Sequence, residues 1–401
     1  MCAAYGDGVF GRRRIIGLSG GLVLAAAGTG ACGGRSGPEP TATTPSRPPG
    51  ALGALGANFN GEPATVTDHE LRALDDTWVR GFVPSRELDT AAPQEQPMVR
   101  RLLDLSSRGF RTVLSLKFPY AGRPVPGPGD PAMRKEQRRL DGLLPVVLGK
   151  VNILVIGNEP FIESRRPDQR SGRLNAFYEH IARHVVHHKV APGKTRFYMG
   201  ALNHLDDPAW RTPATDRWMT FARRTPQIEG VDMHPHLARP GADRPYLEYV
   251  VPRLRDDQTF LATEFSLVRL WKKHLHDPVA REFADRYHVD PSTDVARLIE
   301  RAIDSPFPQR KWQDFLTMAP WFHNHIGYLH DQVHRFRATG RLAVATYGVT
   351  QGQTMVEHFN GQSTPWLLNS LYCPYTVRHR AGALPGGNLA WMRQFRNLQR
   401  R

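Results

Sequence analysis

Two glutamates in this 401-residue chain accompany short apolar runs, a setting in which carboxylates commonly carry catalysis. Glu159 follows residues 151–156, whose continuous branched side chains predict a strand buried on both faces. Glu264 lies near the end of a second run, residues 259–265. Barrel enzymes place their reactive groups at the carboxyl ends of buried parallel strands. Glu159 could instead cap a helix or pair with a surface arginine, so the surrounding pattern must decide.

The spacing of the two glutamates fits a repeated strand–helix unit. They are separated by roughly 105 residues, or three units of about 35, which is a normal length for such a unit. Strand-like runs alternate with helical patterns from residue 51 onward, which is typical of a parallel sheet. The eight predicted strands are residues 54–59, 77–83, 111–118, 151–156, 196–202, 228–234, 259–265 and 341–347.

Eight strands joined by helices predict an α/β fold, a single closed (β/α)8 TIM barrel over residues 51–401, with both glutamates on one rim. A helical insertion is predicted at residues 269–340, between strands seven and eight. Its aromatic residues could line a cleft or simply pack between helices. The other predicted helices are residues 69–74, 97–105, 132–148, 175–190, 215–224, 246–254 and 389–398.

The first 31 residues have the pattern of an export signal. Arginines 12–14 precede an apolar stretch, residues 15–27, which is too short and too rich in glycine for a permanent membrane span. The arginines resemble a twin-arginine signal, and Thr29 to Cys32 resembles a bacterial lipobox. This resemblance implies a lipidated Cys32 as the first mature residue, attached to the outer face of the membrane or the cell envelope. An ordinary cleaved secretory signal is the alternative.

The next segment, residues 32–50, is rich in Gly, Pro, Ser and Thr, and is predicted to be a flexible tether. The three cysteines are Cys2, Cys32 and Cys373, so the predicted barrel has a single thiol and no internal disulfide. The formal charge is +15, but basic residues are scattered among acidic ones. We therefore expect no nucleic-acid partner, and an anionic envelope surface or simple solubility explains the charge better.

The residues around the two glutamates resemble a known family. Asn158-Glu159-Pro160 at the end of strand four and Thr263-Glu264-Phe265 at strand seven are similar to motifs of clan A of the glycoside hydrolases. The resemblance implies a carbohydrate substrate in an extracellular or envelope glycan, a retaining mechanism and no cofactor. It assigns Glu159 as general acid/base with a raised pKa, and Glu264 as an ionised nucleophile.

The same resemblance implies supporting roles for other residues. Arg80 on strand two would hold Glu264 ionised, and His234 after strand six would orient the nucleophile or bind a sugar hydroxyl. Tyr347 occupies the strand-eight position where many members have a tryptophan under the sugar ring. Further candidates for substrate binding are Asn58, Lys117, Asn158 and Asn203, and the loop tryptophans Trp271, Trp321 and Trp366 could add stacking platforms, although most are expected to be buried.

Two other interpretations are open. Asp232, His234 and His236 alternate along a strand, so that their side chains share one face and could bind zinc in a metal-dependent hydrolase. Barrel hydrolases of that type carry His-x-His on the first strand, where this chain has Asn58 and Asn60, so we expect no metal. The second interpretation is a barrel lipoprotein that binds carbohydrate or a partner protein without catalysis.

Overall fold

The computed structural model describes residues 53–59, 61–188, 195–380 and 382–400. The predicted export signal, Cys32 and the tether lie outside the described residues. Eight strands occur within the described part, and they are β1 (Ala54–Asn58), β2 (Trp78–Pro84), β3 (Arg111–Lys117), β4 (Ile153–Ile156), β5 (Arg196–Asn203), β6 (Ile228–His234), β7 (Thr259–Ala262) and β8 (Leu342–Gly348).

The strands form a closed barrel in which each strand pairs in parallel with its neighbours in chain order. The barrel closes between β1 and β8, where five successive residue pairs run from Ala54 opposite Val344 to Asn58 opposite Gly348. The predicted (β/α)8 barrel is confirmed. Because all eight strands are parallel, their carboxyl ends lie on one rim, which is where the loops after β4 and β7 meet.

Helices connect the strands on the outside. Among the described residues, no helix combines the length and apolar character required to cross a membrane. The α-helices of the described part are α1 (Asp68–Ala73), α2 (Pro97–Ser107), α3 (Pro131–Val147), α4 (Arg166–Gln169), α5 (Gly172–Val186), α6 (Pro213–Arg224), α7 (Arg244–Val250), α8 (Val268–Lys273), α9 (Arg281–Tyr287), α10 (Val295–Asp304), α11 (Gln309–Met318), α12 (Pro320–His323), α13 (Tyr328–Ala338), α14 (Gln353–Val356) and α15 (Leu389–Gln399).

The core has two parts. A small cluster, which includes Trp78, Val113 and Tyr198, draws on seven of the eight strands and fills the barrel interior. A much larger cluster joins the outer strand faces to the helices. The predicted helix at 175–190 begins earlier, at Gly172, because the Ser171 hydroxyl accepts a hydrogen bond from the Arg173 backbone and caps the first turn.

The insertion between β7 and β8 consists of six helices, α8 to α13. Its large aromatic side chains pack against one another, and Trp271, Trp312 and Phe322 are almost fully buried. Trp321 is also buried and lies 5.5 Å from Trp271, measured between ring centroids. These aromatic residues therefore form the core of the insertion, as the packing interpretation predicted, and they are not platforms in a cleft.

Candidate active site

Glu159 and Glu264 face each other at the carboxyl end of the barrel, in the loops after β4 and β7. A side-chain oxygen of one lies within 4.8 Å of a side-chain oxygen of the other. Both side chains are largely enclosed, with 16% of Glu159 and 20% of Glu264 exposed. Two carboxyl groups this close, at the mouth of a barrel, can act together on one bond of a bound molecule.

The turn after β4 fixes the direction of Glu159. Gly157 has a φ of 101°, and a Cβ atom on it would lie 2.7 Å from a ring carbon of Tyr178. A Cβ atom on Gly200 would lie 2.3 Å from the Gly157 carbonyl oxygen, so β5 approaches this turn closely. The Ala201 backbone also donates to the Asn158 carbonyl at 3.1 Å. Glycine is required at both positions because no side chain fits there.

The loop after β7 is shaped by a side chain of the neighbouring strand. β7 ends at Ala262, earlier than predicted, because the Thr263 backbone N–H donates to Asp232 Oδ1 at 3.0 Å instead of continuing the ladder. Asp232 is fully buried, and its other oxygen accepts a short hydrogen bond from the Thr263 hydroxyl. These hydrogen bonds hold Thr263 in place, and Glu264 is the next residue in the chain.

Arg80 lies beneath the two glutamates and is fully buried. Its guanidinium donates to Glu264 Oε1 at 2.5 Å and to Asn58 Oδ1 at 3.0 Å. It also donates to Ser115 Oγ at 3.2 Å and makes a short hydrogen bond to Asn158 Oδ1. The planar guanidinium thus donates to residues on or just after four different strands. These bonds make Arg80 a rigid and permanently charged partner for Glu264.

His234 is the last residue of β6, is buried and faces the two glutamates. Its Nε2 lies 2.9 Å from Thr263 Oγ1 and 3.4 Å from Asp232 Oδ2. Its Nδ1 lies 3.0 Å from Glu159 Oε1 and 4.0 Å from Glu264 Oε2. Burial alone would lower the pKa of His234, but the charges of Glu264 and Asp232 raise it to about 10. An imidazolium is therefore expected at neutral pH.

The two glutamates differ in acidity. Burial raises the pKa of Glu264, but the charges of His234, Arg80 and His236 hold it well below its usual range. Burial also raises the pKa of Glu159, yet the hydrogen bond from His234 and the charges of both histidines lower it overall. The lowering is larger at Glu264, because Arg80 contacts this carboxylate directly.

The direction for Glu159 differs from the sequence-based expectation of a raised pKa. His234 was expected to orient Glu264, but it lies closer to Glu159 and stabilises its charged form. Asn203 strengthens the effect, because its Nδ2 donates to Glu159 Oε1 at 2.8 Å. Asn203 thus contacts a glutamate directly, at the rim where it was expected.

Asn158 and Lys117 meet at a third carboxylate, Glu163. Asn158 Nδ2 donates to Glu163 Oε1 at 2.7 Å, and Lys117 Nζ lies 2.9 Å from the same oxygen. Burial raises the pKa of Glu163, although the Lys117 charge opposes this. With its oxygen bonded to Arg80, Asn158 has both ends of its amide engaged and is only 3% exposed. Lys117 is the more accessible of the two predicted binding residues.

A small cavity opens beside Glu264. The His236 ring forms part of its wall, lies 4.8 Å from the Trp366 ring in an edge-to-face contact, and bonds to Ser266 Oγ through Nδ1 at 2.8 Å. Of the three loop tryptophans considered from the sequence, Trp366 is the one that lines this cavity. The lining residues are Asn58, His236, Glu264, Phe265, Gly348, Met355, Trp366 and Asn369.

Tyr347 does not line the cavity, and the prediction that it binds substrate is wrong. Its side chain is fully buried, and its hydroxyl donates to Asn369 Oδ1 at 2.8 Å. Its ring packs against Phe265 and Trp391, with centroids 5.1 Å and 5.8 Å away. The odd–even alternation of β8 directs this position outward to the helices, while Thr346 faces inward and donates to the Thr263 carbonyl at 2.5 Å.

The Asp232, His234 and His236 triad of the alternative interpretation is not assembled. Within the described ranges, the group that could hold a metal ion is Glu159, His234, His236 and Glu264, without Asp232. Asp232 lies below this group, and both of its oxygens accept hydrogen bonds from Thr263.

Several residues of the site were not predicted from the sequence. Glu163 has a signal, since it follows Glu159 within one loop and could be matched with Lys117 on the preceding strand. Ser266 and Asn369 have none, because their roles depend on how loops from different strands meet.

Comparison with known proteins gives fold neighbours only. No family model and no curated protein matches the chain. It is similar to the GH53 catalytic domain of Ignisphaera aggregans, with 12% identity, a TM-score of 0.44 and coverage of 87% of this chain and 92% of that chain. It is also similar to native xylanase 10B from Thermotoga maritima, with 10% identity, a TM-score of 0.44 and coverage of 86% of this chain and 96% of that chain. A third neighbour is endoglucanase Cel5A from Pseudomonas stutzeri, with 12% identity, a TM-score of 0.35 and coverage of 88% of this chain and 95% of that chain. With such scores the neighbours' activities do not transfer to this chain.

Proposed function

We propose that this protein is a retaining glycoside hydrolase that cleaves an extracellular or cell-envelope glycan. The observation that carries the proposal is the pair of enclosed carboxylates, Glu159 and Glu264, with oxygens within 4.8 Å at the carboxyl end of a (β/α)8 barrel. Retaining enzymes need carboxyl groups about 5–5.5 Å apart, whereas inverting enzymes need about 6.5–9.5 Å to admit a water between them. The observed spacing favours retention.

The proposed reaction has two steps. Glu264 attacks the anomeric carbon while Glu159 gives its proton to the departing oxygen, so that the glycosidic bond breaks and a glycosyl ester forms. Glu159 then removes a proton from water, the water oxygen bonds to the anomeric carbon, and Glu264 leaves as a carboxylate. The contact with Arg80 at 2.5 Å supports Glu264 as the group that starts ionised.

The lowered pKa of Glu159 sets the conditions for the first step. The acid must be protonated when substrate binds, so activity should be highest at acidic pH, and kcat/KM should fall as pH rises through the lowered pKa of Glu159, below the ordinary range of glutamate. In the second step Glu264 is esterified and neutral, its charge no longer raises the pKa of Glu159, and the ionised form needed as base is favoured.

A non-catalytic carbohydrate-binding barrel is the second candidate. The observation in its favour is the ion pair between Glu159 and His234, which stabilises the ionised carboxylate in the free protein. In this alternative the cavity beside Trp366 would bind a sugar without cleaving it.

Export completes the proposal. Arginines 12–14, the apolar stretch after them and the lipobox-like residues before Cys32 support a lipoprotein attached to the outer face of the cytoplasmic membrane or the cell envelope. In cell fractionation we expect the wild type in the membrane fraction and Cys32→Ala outside it. Membrane retention of the variant would contradict lipidation at this residue.

The catalytic proposal is tested by screening the purified protein with aryl glycosides and envelope polysaccharides, followed by proton NMR of the first sugar released. We expect hydrolysis with the anomeric configuration of the substrate. An inverted first product would exclude the double displacement. Binding of a glycan without turnover across acidic and neutral pH would establish the non-catalytic alternative instead.

A further inference from the structure

Four side chains at the carboxyl rim of the barrel bring nitrogen and oxygen atoms close together. Ligand atoms of Glu159, His234, His236 and Glu264 all lie within 4.8 Å of one another. His234 Nδ1 is 3.0 Å from Glu159 Oε1, and His236 Nε2 is 3.7 Å from Glu264 Oε2. The diagonal from His234 Nδ1 to Glu264 Oε2 is 4.0 Å.

These separations approach those of a zinc coordination shell. Zinc binds imidazole nitrogen at about 2.0–2.1 Å and carboxylate oxygen at about 2.0–2.2 Å, so that the ligands of a tetrahedral site lie roughly 3.4 Å apart. Both glutamates are partly exposed, and ligand atoms that now lie up to 4.8 Å apart would have to approach to about 3.4 Å. Arg80 contacts only Oε1 of Glu264, which leaves Oε2 directed towards the histidines.

The histidines are also held in the manner of zinc ligands. A metal-binding imidazole usually has its second nitrogen bonded to a carboxylate, a carbonyl or a similar partner, which fixes the ring. Here His234 Nε2 contacts Thr263 and Asp232, and His236 Nδ1 contacts Ser266. His236 Nε2, in contrast, is buried without a hydrogen-bond partner and faces Glu264.

We propose that these four residues form an inhibitory zinc site, in which Zn²⁺ displaces the Nδ1 proton of His234 to solvent and binds the two carboxylates and the two imidazoles. The inhibitory part depends on the proposed function, since the ion would occupy the space between the nucleophile and the acid that the sugar must enter. Zinc is thus a reversible competitive inhibitor. The mixed nitrogen and oxygen ligands favour zinc over magnesium, which prefers oxygen ligands.

The test is calorimetric titration of the full chain, without a histidine tag, with ZnCl2 and with MgCl2. We expect one Zn²⁺ per chain, no Mg²⁺ binding, and visible absorption typical of four-coordinate cobalt when Co²⁺ replaces zinc. Steady-state assays with an aryl glycoside should show competitive inhibition by zinc that is reversed by a chelator.

Three variants locate the site. His236→Asn should weaken zinc binding at least tenfold, and Ser266→Ala should weaken it by about 10-fold or more because the imidazole loses its fixed orientation. The matched control is the double variant His330→Ala/His334→Ala, which removes an exposed histidine pair from α13 whose ring centroids are 4.2 Å apart. This control should bind zinc like the wild type, and circular dichroism checks that each variant is folded.

Absence of stoichiometric zinc binding, or binding lost only in the α13 control, would overturn the site. Zinc binding to a protein that hydrolyses no glycoside would support the site but overturn the inhibition together with the proposed function. Chelator-treated protein that gains activity when zinc is restored would overturn the inhibition in favour of a metal-dependent hydrolase.

Discussion

The two glutamates at the carboxyl rim of the barrel are chemically identical, but different cations face them. Glu264 contacts Arg80, a buried guanidinium that stays charged at every accessible pH and is fixed by three further acceptors. Glu159 contacts His234, whose charge depends on the carboxylates around it. One glutamate therefore has a permanent counter-charge, and the other has one that can be titrated.

This difference is consistent with separate roles for the two glutamates in the proposed reaction. A nucleophile must remain ionised, which a rigid guanidinium ensures. An acid/base must exchange its proton twice in each turnover, and a neighbour whose own charge responds to Glu264 suits that role better. If the proposed roles were exchanged, the arginine would hold the acid in its unreactive form. Replacing each of these residues in turn tests the difference between the two glutamates.

The largest effect is expected at Glu264. Replacement by Ala should lower kcat at least about 10⁴-fold, because it removes the carboxylate that attacks the anomeric carbon in the proposed mechanism. Added azide should restore turnover and yield a glycosyl azide of inverted configuration, which NMR identifies. With Glu159→Ala, added azide should instead give a glycosyl azide of retained configuration. An inverted product from the Glu159 variant would reverse the assignment.

The next effect concerns Glu159 and depends on the leaving group. Glu159→Ala should lose about 10²–10⁴-fold in kcat/KM on substrates with poor leaving groups, and far less on dinitrophenyl glycosides, which need no acid. A Brønsted plot over a series of aryl glycosides measures this. Glu163→Gln is the matched control, since it alters a carboxylate of the same loop that contacts Asn158 and Lys117. Equal slopes for the two variants would contradict the acid role.

The barrel, and the position of the two glutamates at its carboxyl rim, could be predicted because both depend on local sequence patterns. Apolar runs mark the strands, and the residues after β4 and β7 occupy the active rim of any parallel barrel. The prediction that Tyr347 binds substrate was wrong because the face of a strand on which a side chain lies depends on the register. Its neighbour Thr346 faces the barrel interior instead. The pKa of Glu159 was predicted in the wrong direction because the distance from His234 to each carboxylate is set by the loops and cannot be read from spacing.

A moderate effect is expected at Arg80. Arg80→Met leaves Asn58, Asn158 and Glu264 with buried oxygens that have lost their donor, and breaking a buried ion pair costs about 3–5 kcal/mol. Chemical denaturation should report this loss of unfolding free energy, and kcat should fall with it. Arg80→Lys should recover part of the stability but little activity, because one ammonium cannot serve four acceptors. Full activity in the lysine variant would show that charge alone is sufficient.

The smallest effect concerns stability and isolates His234. The folded pKa of His234 is about 10, above its unfolded value of about 6.5, so its contribution is complete below pH 6.5 and disappears as pH rises through 10. The wild type should lose unfolding free energy over this interval, on the order of a few kcal/mol, because each pKa unit corresponds to about 1.4 kcal/mol. His234→Asn should show a flatter profile, whereas the exposed His330→Ala should follow the wild type. If His234→Asn kept the wild-type slope, the imidazolium would not be the titratable counter-charge of Glu159, and the contrast with Arg80 would fail at that point.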